Sequence, residues 1–177
     1  MSPVKKLVFA AVCTALCVVL PMAFHAVQNA GQIFLPMHIP VLLCGLVCGW
    51  PLGLVCGVTG PLLSSILTAM PPAAVLPSMM VELAVYGLVT GLMAQHTHTE
   101  HPAANLYLSM ITAMISGRVL SGLAKAFIFS PGTAPFAWVS TSLIMGIPGI
   151  CIQLVLIPLL IYALEKAHLL SVLHSEG

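Results

Sequence analysis

The chain has 177 residues, of which only 5% are Asp, Glu, Lys or Arg and 60% are hydrophobic, with a formal net charge of +1 and a mean hydropathy of +1.13. Soluble domains carry roughly a quarter charged residues, so a surface this poor in charge is matched to lipid rather than to water. The same figures exclude a nucleic-acid binder, which needs clustered Lys and Arg against phosphate. They also leave room for about six spans of about 20 residues and no soluble catalytic domain beside them.

The first element lies in "MSPVKKLVFAAVCTALCVVLPMAF", a basic end followed by an apolar run. A signal peptide shares that pattern. The membrane-like character of everything that follows, with no clear small-x-small cleavage site, favours a first spanning helix near 5–27. Further helices are expected near 37–49, 51–69, 77–95, 105–129 and 136–166, set apart by the breaks "QNAGQIFLP", "GWPLG", "AMPPAAVLP", "QHTHTEHPAAN" and "FSPGTAP". None of the breaks is long enough to be a domain. The expected fold is therefore an all-α membrane protein, a single transmembrane domain over 1–177 built as a compact bundle of six transmembrane helices. Lys5 and Lys6 precede the first span and Lys166 follows the last. By the positive-inside tendency both termini are cytoplasmic, and the loops at 28–36, 70–77 and 130–135 face outward.

Between the second and third elements runs "CGLVCGWPLGLVCGVTG", with Gly45, Gly49, Gly53 and Gly57 four residues apart. A phosphate-binding loop would need a preceding strand and a following Lys-Ser/Thr, and neither is there. The spacing instead lets helix backbones approach closely in lipid. Trp50-Pro51 turns the chain, with the proline suited to the first turn of the next helix. Gly87 and Gly91 repeat the spacing on the fourth helix.

Three ionisable residues fall inside the expected spans: Glu82, Arg118 and Lys125. Such groups are costly in a bilayer and tend to face a cavity or a partner. Arg118 and Lys125 are two helical turns apart and share a face with Ser121 and Gly122. Glu82 and Lys125 each lie about 6 Å from the outward end of their helices and are placed to pair, which leaves Arg118 about 16 Å deep and in need of a partner. One reading is a structural ion pair locking the fourth and fifth helices. The other is an outward-opening pocket in which two cations against one carboxylate favour an anionic ligand. Gln28, Asn29 and Gln32 in the first loop, His38, Tyr86 one turn below Glu82, and Trp138 with Ser140 and Ser142 lie on the same side. Aromatic walls with a few convergent polar groups are what a small-molecule pocket needs. Gln153 is too deep by this reckoning to join them.

Metal and catalysis find little support. Cys13, Cys17, Cys44, Cys48, Cys56 and Cys151 all sit in apolar runs and read as small hydrophobes, with no His or carboxylate completing a ligand set. "HTHTEH", with His96, His98 and His101, reads as a solvated loop. "MHIP" at Met37 is internal, without the free amine that would make it a metal site. There is no HExxH, no GxSxG and no aspartate, so no metal, cofactor or enzymatic activity is expected.

Six spans, "KKLVFAAVCTALCVVLP" at the front and "LPMHIPVLLCGLVCGWPLGLVCGVTGPLLSSILTAMPP" in the middle resemble the substrate-binding S components of energy-coupling factor (ECF) transporters. The resemblance implies a subunit that captures a vitamin or related micronutrient outside a prokaryotic plasma membrane. It implies docking on a membrane coupling protein driven by two ATPase subunits, since no Walker motif is present here. It further implies a docking face formed by an alanine-x-x-x-alanine motif, which "AVCTA" supplies as Ala11 and Ala15 with Ala10 beside them. Glu82, Arg118, Lys125, Tyr86, Asn29, Gln32, His38 and Trp138 are then the candidate ligand-binding residues. The alternative is a structural or assembly subunit without a ligand, in which the buried charges only fix helix packing.

Overall fold

The computed structural model describes residues 1–23, 33–97, 102–129 and 135–167. In order, the helices are α1 (Pro3–Ala23), α2 (His38–Cys48), α3 (Trp50–Thr68), α4 (Leu76–His96), α5 (Pro102–Ala124) and α6 (Pro135–Lys166). A π-helical turn, Lys125–Phe129, carries α5 onward. There is no strand among the described residues.

Five of these helical segments are long and apolar enough to cross a membrane, and α2 is not. With 11 residues, α2 reaches about 16 Å at 1.5 Å per residue, against a hydrocarbon core of about 30 Å. The six helices expected from sequence are present, five of them of membrane length and α2 a shorter apolar helix enclosed by the others. Hydropathy cannot separate the two cases, because a helix buried on all sides by protein is as apolar as one facing lipid. From His38 to Cys48 every residue but Ile39 is buried.

Gly49 ends α2 and opens α3 at a φ of 92°, a backbone region that favours glycine, and its N–H donates to the Gly45 carbonyl at 3.0 Å. Pro51 follows inside the first turn of α3. The tight hairpin expected from Trp50-Pro51 is what forms, with the turn concentrated in the glycine.

Helix α4 is the hub, packed against α2, α3 and α5, while α1 lies on α2 and α3 and α6 closes against α5. The closest approach joins α3 to α4. A Cβ at Gly53 would run into the carbonyl of Gly87, and one at Gly87 into the carbonyl of Gly53. Small residues let the two backbones touch where no larger residue fits. Outward faces carry Val4, Ile66, Leu67, Ile115 and Val155, each more than half exposed, as a lipid-facing surface requires. Cys13, Cys17, Cys44, Cys48 and Cys56 are buried free thiols; Cys151 is exposed.

The Gly53–Gly87 contact makes a direct prediction. Gly87→Ala lowers the unfolding midpoint of the detergent-purified protein, by about 1–3 kcal/mol of stability, the usual cost of forcing extra volume into a close-packed site. Leu67→Ala, 70% exposed, serves as the control and stays within about 0.5 kcal/mol.

Candidate functional site

Glu82 enters from α4, six residues after its first residue Leu76, and only 6% of it is exposed. A carboxylate at that depth must be answered by partners from other helices. The structure supplies three. Arg118 Nε of α5 lies 3.4 Å from Glu82 Oε1, and His38 Nε2 of α2 lies 3.3 Å from the same oxygen. Ser121 Oγ, one turn along α5 from Arg118, lies 3.4 Å from Glu82 Oε2 and 3.3 Å from the Arg118 carbonyl, and its single proton is shared between these two acceptors.

The charged core is set in an aromatic and apolar wall. Tyr86, one turn below Glu82 on α4 and fully buried, presents its ring edge-on to His38 with centroids 5.0 Å apart and planes at 72°. Gly117 on α5 leaves room for that ring, since a Cβ there would collide with it. On the far side the guanidinium of Arg118 lies against α6, where a Cβ at Gly146 would sit 2.7 Å from Arg118 Nη2 and 3.3 Å from a Leu35 methyl. Leu35 takes a φ of 50°, uncommon for a side chain of its size, and its carbonyl accepts the His38 N–H at 3.1 Å. Through that turn the segment before α2 tucks inward and presents His38 to Glu82.

A carboxylate only accepts hydrogen bonds, so the imidazole donates from Nε2 and leaves Nδ1 facing elsewhere. Among the described residues neither His38 Nδ1 nor the Tyr86 hydroxyl makes a hydrogen bond of good geometry, although both are buried and the hydroxyl faces Glu82 and Arg118. Each unsatisfied atom costs about 1–3 kcal/mol. The cluster therefore holds its charges internally, with the Tyr86 hydroxyl turned toward them and the imidazole Nδ1 unsatisfied.

Of the residues expected from sequence, the structure brings Glu82, Arg118, His38 and Tyr86 together. The expected Glu82–Lys125 pair is corrected: Glu82 is answered by Arg118, His38 and Ser121. Lys125 opens the π-helical turn one turn beyond Ser121 and is only half-buried. Arg118, 3% exposed, is the more deeply enclosed cation and has the greater need of a buried carboxylate. Asn29 and Gln32 lie outside the described residues, as does the side chain of Trp138. On α1, Ala11 and Ala15 are exposed, whereas Ala10 is 7% exposed and turns into the core. The expected face thus loses Ala10, because a residue one step round the helix points about 100° away. Ser121 was read from sequence only as sharing a face with Arg118, and the signal for its role was there in the i, i+3 spacing. Among the described residues no group of three or more His, Cys, Asp or Glu is placed to hold a metal ion.

A bundle with an apolar outer surface, membrane-length helices and a buried polar cluster joining α2, α4 and α5 defines a polytopic membrane protein. The chain belongs to the ECF transporter substrate-specific components, whose family model matches residues 5–161. It is accordingly the substrate-specific subunit of an uptake transporter, in a family of transporter components and not of enzymes. Membership implies both a substrate and an ECF module as partner. Neither a comparison with curated proteins nor one with solved structures returns a match.

The ion pair predicts a marked asymmetry between single and paired replacements. Arg118→Met destabilises by about 3–5 kcal/mol because it strands a buried carboxylate, and Glu82→Gln added to it recovers most of the loss. Denaturant unfolding of the two single variants and the double variant, read as a thermodynamic cycle, gives the coupling directly. A double variant no more stable than Arg118→Met would show that the pair is not what holds α4 to α5.

Proposed function

We propose that this subunit captures a vitamin or related micronutrient at the outer face of a prokaryotic plasma membrane, in a site built on His38, Tyr86 and Arg118. It then docks through the exposed Ala11–Ala15 stripe of α1 on a transmembrane coupling protein powered by two ATPase subunits. The observation that carries the capture step is the buried His38 Nδ1, unsatisfied among the described residues, next to a Tyr86 hydroxyl turned to fixed charges, in a chain of the substrate-specific family. Glu82, with all its contacts internal, acts as a positioning residue. It holds Arg118 and His38 in place and need not touch the substrate.

Charge supports an anionic or strongly hydrogen-bonding substrate. Glu82, Arg118 and Lys125 sum to +1 in this half of the bundle, and Lys125 extends the positive side toward the end where residues 33–37 and 69–75 connect the helices. Asn29, Gln32 and Trp138 belong to the proposed site by their place in the chain. The stripe of α1 is argued from shape: alanines one turn apart and exposed make a flat strip against which another helix can close.

Denaturing the gently purified protein and analysing the released small molecules by mass spectrometry tests the capture step. A vitamin-like compound is expected at near-stoichiometric occupancy, falling at least tenfold in Tyr86→Phe, which deletes only the hydroxyl. An undiminished yield from Tyr86→Phe would remove that residue from the site. The docking step is tested by uptake of the identified compound into cells. Ala15→Trp abolishes uptake and keeps the bound compound; loss of both would show that α1 does not separate the two roles.

A further inference from the structure

Gln153 lies on α6 with none of its surface exposed, and among the described residues neither its amide oxygen nor its amide nitrogen has a hydrogen-bond partner. A methionine or leucine would fill the same volume without stranding polar atoms, so the amide is a poor core residue as it stands.

Its surroundings connect it to the site. Gly146, Gly149, Gln153, Ile157 and Ile161 recur at helical spacing and are all buried, forming the inward stripe of α6. The Arg118 guanidinium occupies the notch at Gly146. At Gly149 a Cβ would lie 2.7 Å from the Ile33 carbonyl oxygen and 2.9 Å from the Phe34 carbonyl, so the chain segment leading into α2 seats there. Gln153 comes one turn further in, and the fully buried Ile157 and Ile161 continue the stripe as an apolar floor. On the antiparallel α5, counting seven residues back from Arg118 as seven are counted on from Gly146 places Gln153 level with Ile111. The same stretch of α5 carries the buried Met110 and Met114, 0% and 5% exposed. Thioether side chains make an adaptable wall that can re-pack around a flat group.

We propose that Gln153 is a substrate-contacting, specificity-determining residue, and that the substrate presents an adjacent hydrogen-bond donor and acceptor, as on an amide, lactam or ureide edge. This rests on the substrate-capture reading and extends its site along α6. A primary amide carries one acceptor and two donors side by side, and such an edge pairs with both kinds at once. From the level of Gly146, where Arg118 sits, to Gln153 is about 10 Å at 1.5 Å per residue. The substrate is therefore elongated, with its polar or anionic end toward Arg118 and His38 and its amide-type edge deeper in the bundle. Discrimination follows from the same geometry, because an analogue lacking that edge leaves the buried glutamine unpaired.

The test uses the full chain purified in detergent, as wild type and as Gln153→Met, a near-isosteric apolar replacement. Two readouts are taken. The first is the yield and chemical structure of small molecules released on denaturation. It is expected to show a compound bearing an amide, lactam or ureide edge in the wild type and at least a tenfold lower yield in the variant. The second is the unfolding midpoint of both proteins after small molecules have been washed out, and there Gln153→Met is expected to be higher by several degrees, since it removes an amide that has no partner in the empty protein. Equal yields, a released compound without a donor–acceptor edge, or a lower midpoint in the variant would each overturn the assignment, the last by showing that the amide is held structurally. An empty wild-type extract would instead remove the substrate-capture reading, and this proposal with it.

Discussion

A carboxylate buried in an apolar bundle dictates much of this architecture. Glu82 is 6% exposed, and neither lipid nor solvent can answer its charge at that place, so other helices must. Arg118 comes from α5 and His38 from α2, both at 3.3–3.4 Å from the same oxygen. One side chain thereby fixes the relative height of three helices. A one-turn slip of α5, about 5.4 Å, would take Arg118 out of reach and leave two buried charges unmatched. Apolar packing alone is indifferent to register in lipid, where tails are as apolar as leucine. The ion pair is what makes one register much better than the next.

For that pairing to form, α2 must lie deep inside the bundle, and it does so because the residues around it are small. Thr90 and Gly87 on α4 abut Gly45 of α2 so closely that a Cβ at Gly45 would overlap the Thr90 hydroxyl. Close packing of backbones takes the place of hydrophobic driving force between helices. It also brings an 11-residue helix into a position where its first residue, His38, meets Glu82. Glycine spacing and the charged cluster are therefore two parts of one arrangement. The first sets how near the helices come, and the second sets at what height.

Much of this was legible in the sequence, and the misses have physical causes. Low charge and long apolar runs identified a helical membrane protein, and the four-residue glycine spacing identified its close contacts. The cost of burying charge pointed to Glu82 and Arg118 before any geometry was known. What hydropathy could not give was the difference between a helix surrounded by lipid and one surrounded by protein, so the enclosure of the short α2 on nearly all sides was not legible. Depth counted from helix ends paired Glu82 with Lys125. Burial overruled that count, because Arg118 is the more deeply enclosed cation and its need for a carboxylate is greater. Gln153 was set aside for its depth, on the assumption that polar groups of a site share one level. On α6 the glycines that seat Arg118 and the segment before α2 lie within about two turns of the buried amide of Gln153, so depth alone does not separate that residue from the cluster.

The buried cluster and the exposed alanine stripe of α1 lie on different elements, yet the distance between them is short. Cys17 is fully buried, two residues beyond Ala15 and so on the opposite flank of α1. Its thiol donates to the Met37 carbonyl at 3.7 Å, one residue before His38. A helix pressed against Ala11 and Ala15 would therefore push on the segment that delivers His38 to Glu82. Transmission through such a contact requires that α2 have a second arrangement whose population both events bias. The energy of separating His38 from Glu82 in a dry interior sets how far apart those arrangements stand.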